Sequence, residues 1–588
     1  MKYKVRYLPV FIVVTAALFI AGCKSDPGMA YRTQQTQASA FVPVDTTWKT
    51  LSLREKIGQT MIVVSRFYDY QKFEGGNLDT FFTRYPVGGF FMADWYYFYF
   101  APEDSTMAYY MKESIRDYAA SSKHPLIFME DFERGLGEKF PAYTYMPVEM
   151  TLGAANSGQL AYRYGKSIAM EARDFGINWL LHPVADLNLN PLHSLVNERA
   201  VSDNPELAIP LLKEQIEGMH DQRIISTIKH FPGDGATMRD QHIMTASNNL
   251  SWKQWKRTYG KVFRSLIGHG APSVMVGHIT FPAYQREKLN NHLLPASLSE
   301  EIIVNLLKQK MNFKGVVISD ALNMGGAAGY YKDELETSVA CFRAGVDLML
   351  WPDLSFMDTL EARILRNEIP MERLDDAVER IWALKERFGL LGRDYKVFNK
   401  LTAEDKKFID NTAREVAENG ITLLRGDSGF LPLDSSKVKN ILLVNVSQRD
   451  KSQIFDHTRK LLEDRGFNVK LRYGLSYFDW NWRMDSLKYY DRIIACFENK
   501  YFDPVGIQFL KGLEAESAWT FNMLPREQMI AVSYSNPYYL KYYFQHIPVL
   551  INAYSSDKYV QEAVVRALTG ETAFKGISPV KLEHDILK

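Results

Sequence analysis

The sequence predicts an α/β architecture: a (β/α)₈-type barrel followed by a smaller α/β sandwich domain. Three observations carry that prediction. The chain has 588 residues, more than one hydrophobic core usually organises, so two domains are expected. From Trp48 to Gly392 short apolar stretches, many of them β-branched, alternate with helix-like segments, the pattern of a parallel sheet covered by helices. The units recur about every 30 to 50 residues, the length of one strand, helix and loop in such a barrel. A doubly wound open sheet would give the same alternation, but the spacing favours closure.

Taken in chain order, the first segment is a targeting signal. Lys2, Lys4 and Arg6 precede an apolar run from Leu8 to Ile20, followed by Ala21, Gly22 and Cys23. The run is too short for a spanning helix and reads as an export signal. Ile20-Ala21-Gly22-Cys23 resembles a bacterial lipobox, which implies a lipid anchor on Cys23. Residues 1–23 are therefore expected to be a lipoprotein signal and residues 24–45, rich in Gln, Thr, Ser and Pro, a flexible tether. The expected location is the exported, membrane-anchored face of a cell envelope, and Lys24 favours the outer membrane.

Residues 46–395 form the predicted barrel. Its apolar stretches end in polar residues: Leu126–Met129 in Glu130 and Asp131, Ile177–Leu181 in His182 and Asp186, Ile224–Ile228 in Lys229 and His230. Val274–Val276 leads to His278, Val316–Ile318 to Ser319 and Asp320, and Val346–Leu350 to Trp351 and Asp353. In a barrel these carboxyl ends share one mouth, where chemistry sits. A charged helical stretch over 361–388 closes the region. Residues 396–415, charged and without an apolar strand, read as a linker. Residues 416–588 show a smaller alternation (441–444, 469–471, 493–496, 530–532 and 549–551) whose strand ends carry no comparable set of acids and imidazoles. Cys341 and Cys496 sit in apolar surroundings and in different domains, as free thiols would.

A net charge of +1 gives no basis for a nucleic-acid partner. No metal-ligand spacing occurs and no cofactor is expected. The chemistry-bearing residues concentrate in Lys229-His230-Phe231-Pro232-Gly233-Asp234-Gly235 and Arg239-Asp240-Gln241-His242. Asp240 and His242, two apart, share a side if the segment is extended. A carboxylate beside an imidazole fixes its tautomer and favours its protonated form, as a proton shuttle near neutral pH requires. A surface ion pair is the competing reading. Asp320, ending a buried strand, is costly unless paired or functional; it could instead cap a helix over Ala321–Met324.

The order of these segments resembles glycoside hydrolase family 3, in its β-N-acetylglucosaminidase branch. The resemblance is carried by Leu53–Met61, by Pro183-Val184-Ala185-Asp186 with Glu198-Arg199, by Lys229–Gly233 with Asp240-Gln241-His242, and by Pro295–Ser299 with Phe313–Asp320. Gly420–Arg425 and Gly576–Val580 resemble the family's carboxyl-terminal domain. The resemblance implies that Asp320 is the nucleophile of a retaining exo-hydrolase, that His242 is its acid/base with Asp240 as partner, and that Asp131, Arg199, Lys229, His230 and, more weakly, His278 hold the sugar. The implied substrate is an oligosaccharide ending in β-linked N-acetylglucosamine, from cell-wall or glycan fragments. Three positions depart from the family pattern: Asp234 stands for a His, Leu136 for an Arg and Gln241 for a Ser. A β-glucosidase or β-xylosidase, a phosphorylase, and a carbohydrate-binding lipoprotein without catalysis remain alternatives, and the sequence sets no oligomeric state.

Overall fold

The computed structural model describes residues 42–99, 103–447, 454–475, 489–498 and 512–582. Cys23 and most of the expected tether lie outside them. Eight parallel strands make the first sheet: β1 (Met61–Val64), β2 (Gly89–Phe91), β3 (Ile127–Glu130), β4 (Trp179–Leu180), β5 (Ile225–Phe231), β6 (Ser273–Val276), β7 (Val316–Ser319) and β8 (Met349–Leu350), in spatial order β7-β6-β5-β4-β3-β2-β1-β8. A bridge between Ile318 and Leu348, the Ser319 N–H on the Leu348 carbonyl (3.1 Å) and the Leu350 N–H on Ser319 Oγ (2.9 Å) join the two ends. The sheet is therefore a closed barrel, as expected.

Side chains alternate along each strand as the pleat demands. Ile62, Phe91, Met129, Trp179, Ile225, Met275, Ile318 and Leu350 belong to one apolar cluster, which fills the barrel. Their neighbours Val63, Phe90, Phe128, Leu180, Val274, Val317 and Met349 belong to a second cluster, shared with the surrounding helices. Strands buried on both faces show no polar alternation, so the sequence marks them only as apolar runs. The apolar runs did not mark the first two, β1 and β2.

The helical stretch expected over 361–388 is two helices, Ser355–Leu365 and Met371–Arg387, divided before Pro370 because proline disfavours helix in the residue ahead of it. Ile381, Leu384 and the following Phe388 join the cluster inside the barrel and stop its amino-terminal end.

The second sheet has six strands: β9 (Thr422–Gly426), β10 (Asn440–Ser447), β11 (Asn468–Tyr473), β12 (Arg492–Glu498), β13 (Met529–Ser533) and β14 (Val549–Asn552), in order β9-β14-β13-β12-β10-β11. Only β9, which the apolar runs did not mark, is antiparallel to its neighbour. The segment expected as a linker, 396–415, is not without regular structure. Most of it belongs to a helix, Ala403–Gly420, capped by Thr402 and Asp405 and burying Ile409, Ala413, Val416, Ala417 and Gly420. Spacings of three and four place those residues on one face, a stripe masked in the sequence by the charges around it. Arg163 on the barrel side pairs with Glu415, and Tyr559 of the second domain donates to Asp410. The helix thus fastens the two domains together. Cys341 and Cys496 are buried free thiols.

Candidate active site

A cleft of ≈ 640 Å³ opens at the carboxyl ends of the barrel strands, lined by Asp131, Arg199, Lys229, His230, His242 and Asp320 among others. The parallel register brings these residues together from chain positions up to 189 apart (320 − 131). Asp240 and His278 stand behind the lining.

Asp320 is the first residue past β7. Its N–H bonds the Val276 carbonyl (3.1 Å), and Oδ1 accepts from the Ala321 N–H (2.8 Å). Oδ2 lies 4.0 Å from His230 Nε2, and the side chain is 12 % exposed. Burial alone would raise its pKa, but His230 first, with His242 and the Ala321 N–H, holds it below the ordinary 3.8, so the carboxylate is ionised. It does not cap a helix over 321–324; the next helix is Gly325–Ala328, behind Met324.

Asp240 and His242 are not on an extended segment. The N–H groups of Ile243 and Met244 both bond the Asp240 carbonyl, and this turn sets Asp240 Oδ1 at 2.8 Å from His242 Nδ1 and 2.9 Å from its N–H. The Asp240 carboxylate is fully buried while the ring is 40 % exposed, so Nε2 is left for the cleft. Burial disfavours the charged ring, but the Asp240 hydrogen bond, and next the charge of Asp320, raise the His242 pKa above its ordinary 6.5. The loop is pinned, unlike a surface ion pair. Gly325 and Gly326, just beyond Asp320, donate to the carbonyls of His242 (2.9 Å) and Gln241 (3.0 Å). A Cβ on Gly325 would stand 2.3 Å from the Ile243 carbonyl oxygen, and one on Gly326 2.6 Å from that of Gln241. Only glycine permits the approach that couples the imidazole to the carboxylate.

Asp131, Arg199 and Lys229 meet at a residue sequence reasoning passed over, Glu133. Arg199 grips it with two bonds (2.8 and 2.7 Å), and Lys229 Nζ lies 2.7 Å from Glu133 and 2.6 Å from Asp131. Burial works against the Glu133 carboxylate, yet Arg199 and Lys229 keep its pKa well below the usual range. Asp186, noted only as a strand end, accepts from His230 Nδ1 (2.7 Å) and N–H (3.1 Å) and from the Asp234 N–H (2.7 Å). It thereby turns His230 Nε2 toward Asp320. Asp234, one of the three departures, bonds His193 Nε2 (2.8 Å) and buttresses the loop from behind.

His278 is a correction. It is fully buried, with Nδ1 2.8 Å from Ser297 Oγ and Nε2 2.9 Å from the Ala321 carbonyl. Burial holds its pKa below 6.5, so Nε2–H donates to Ala321 and the neutral ring braces the segment carrying Asp320. It has no free edge for a hydroxyl. Glu130, like Asp186 noted only as a strand end, lines the cleft beside Asp131, whose N–H it accepts (2.6 Å). Burial, then the charges of Asp94 and Asp131, push its pKa well above the usual carboxylate value. Among the described residues no group of His, Cys, Asp and Glu is arranged to hold a metal ion.

Residues 52–384 match the model of the glycosyl hydrolase family 3 N terminal domain. A β-N-acetylglucosaminidase/β-glucosidase of Cellulomonas fimi is 30% identical over 484 residues, covering 78% of this chain and 83% of that protein. Among solved structures, the β-glucoside phosphorylase BglX bound to 2FGlc superposes with a TM-score of 0.78 at 27% identity, covering 91% of this chain and 95% of that one. A glycoside hydrolase family 3 β-N-acetylglucosaminidase from Paenibacillus sp. str. FPU-7 gives 0.75 at 26% identity, covering 90% and 99%.

Proposed function

The chain belongs to glycosyl hydrolase family 3, and from that premise we propose that it is a retaining exo-β-N-acetylhexosaminidase releasing terminal β-linked N-acetylglucosamine. One observation carries the reading: an ionised carboxylate, Asp320, and an imidazole backed by a buried carboxylate, His242, face the same cleft and feel each other's charge.

The chemistry follows in two steps. Asp320 attacks the anomeric carbon as the bond to the glycosidic oxygen breaks, and His242 gives its Nε2 proton to that oxygen. The products are an acylal ester on Asp320 and a neutral imidazole. Forming the ester removes the Asp320 charge, one of the influences that raise the His242 pKa. The same ring is then a better base for the second step, in which it takes a proton from the water that attacks the anomeric carbon and frees Asp320. Asp240 stays ionised throughout and holds the tautomer. Two displacements retain configuration, in a departure from the two-carboxylate arrangement usual in such enzymes. Asp131, Arg199 and Lys229, locked together through Glu133, present a rigid set of donors and acceptors for sugar hydroxyls, so little ordering is left for the moment of reaction.

The test is a panel of aryl β-glycosides with the first-formed product anomer read by proton NMR. Release of β-N-acetylglucosamine supports the reading; the α-anomer, or strong preference for the unacetylated glucoside, would defeat it. Phosphorolysis is a second reading, favoured by the likeness to BglX. Phosphate would then raise the rate and yield a sugar 1-phosphate. The amino-terminal reading belongs to the same proposal: export, with Cys23 as the lipidated residue and envelope glycans within reach. Loss of membrane association in Cys23→Ser tests it.

A further inference from the structure

The polar groups of the mouth do not surround the cleft evenly. Asp131 follows β3, Arg199 lies in the connection from β4 to β5, Lys229 and His230 stand on β5, and Asp320 follows β7. The sector from β8 across β1 to β2 is mostly aromatic, with one ion pair, Asp94 to Lys139 (2.8 Å), at its edge. Trp351 directly follows β8, and Trp95 follows β2 in the short helix Asp94–Phe98. Both line the cleft. Their ring centroids are 5.2 Å apart, and Phe91, buried behind them, lies 5.1 Å from Trp351 and 5.6 Å from Trp95. The three rings form one continuous wall.

Two details distinguish this wall from ordinary core. Trp95 is 45 % exposed although it is among the largest apolar side chains of the barrel, so its face is open to whatever enters the cleft. Trp351 has φ = +61°, a conformation bulky residues avoid. It is held there by its N–H bond to the Ile62 carbonyl (2.8 Å), which belongs to the β1–β8 seam of the barrel. Strain of this kind persists where the surroundings fix it and clusters at functional sites.

We propose that Trp95 and Trp351 form the subsite for the leaving group, and that this group is a second pyranose ring. The proposal rests on the glycosidase reading above. The charged clamps bind the hydroxyl-rich edge of the sugar being cut, and Asp320 and His242 flank the scissile bond. The departing group must then leave toward the sector those groups do not occupy. A β-linked pyranose presents C–H groups on both faces, and such a face packs on an indole ring as apolar surface does.

Trp95 is the residue to change, because its exposure makes the substitution safe for the fold. The enzyme is given two substrates built on whichever sugar the wild type cleaves: the β-glycosyl fluoride, whose leaving group is one atom, and the β-1,4-linked disaccharide, whose leaving group is a ring. In Trp95→Ala the ratio of kcat/KM on disaccharide to that on fluoride should fall about tenfold, mainly through KM, as expected for loss of one stacked ring. Trp95→Phe should recover most of it. Equal losses on both substrates would place the wall against the sugar being cut, and an unchanged ratio would leave it without contact to either; each overturns the proposal. A wild type that prefers glucosyl substrates would defeat the N-acetylglucosamine reading alone and leave the ratio to be measured.

Discussion

Two lysines are buried in this barrel, one at each end, and they live under opposite rules. Lys229 at the mouth is 3 % exposed and touches two carboxylates, Asp131 and Glu133. Burial would discharge it, but those partners raise its pKa above the ordinary 10.5. Lys385 at the floor is fully buried, and its Nζ meets the Gln59 side-chain oxygen and the Pro125 carbonyl, each at 2.6 Å. Burial there pushes its pKa down to about 7. Neutral acceptors satisfy its hydrogen bonds without supplying the opposite charge that would offset desolvation. Charge at the mouth is thus fixed by partners, whereas charge at the floor depends on pH. That is the difference between an end built for chemistry and an end that closes the fold.

The comparison can be broken first at the mouth. Asp320→Asn should lower kcat/KM on an aryl glycoside by about 10³- to 10⁵-fold while the protein stays folded, because it removes the attacking carboxylate. Near-normal turnover would refute the nucleophile. Lys229→Met should cost about 100-fold or more in turnover by releasing Asp131 and loosening Glu133. It should also lower unfolding free energy in urea by about 3 kcal/mol, since one partner of a buried ion pair is removed. Full activity with lost stability would reduce the mouth cluster to scaffolding.

Asp240→Asn sharpens the picture with a smaller effect, about ten- to a hundredfold in kcat. In the wild type the Asp320 pKa is depressed and the His242 pKa raised. The active form, carboxylate plus imidazolium, therefore spans the acid range from below 3.8 to above 6.5, and kcat/KM falls as pH rises through the His242 pKa. Loss of Asp240 should move that alkaline limb to lower pH. A limb that stays in place would separate the pair from the observed titration.

The smallest effect on turnover belongs to the floor. Lys385→Met should change activity less than twofold yet alter the pH dependence of stability. The folded-state pKa is about 7 against about 10.4 in the unfolded chain, so between those values the unfolded state binds the extra proton. Wild-type stability should therefore rise with pH, by up to about 1.4 kcal/mol per unit, and that slope should disappear in the variant. Urea titrations at several pH values measure it. A slope that persists would mean Lys385 keeps its charge at the floor as Lys229 does at the mouth.

Which residues stand at strand ends was written in the chain itself. Apolar runs closing on Asp131, Lys229, His230 and Asp320 predict a parallel sheet and its active face, because pleat and helix period are local properties. The spacing of Asp240 and His242 announced a pair, although a turn and not an extended segment makes it. What the chain could not state was who meets whom. Glu133 is 66 positions from Arg199 and 96 from Lys229, and nothing local to it names either partner; Asp186, 44 positions from His230, looked like another strand end. His278 had the credentials of a ligand and was turned inward by Ser297 and Ala321. The helix at 403–420 hid as a linker until both domains covered its narrow apolar face. Partners across a barrel are chosen by strand register and closure, which depend on every strand at once, and no local run of residues carries that information.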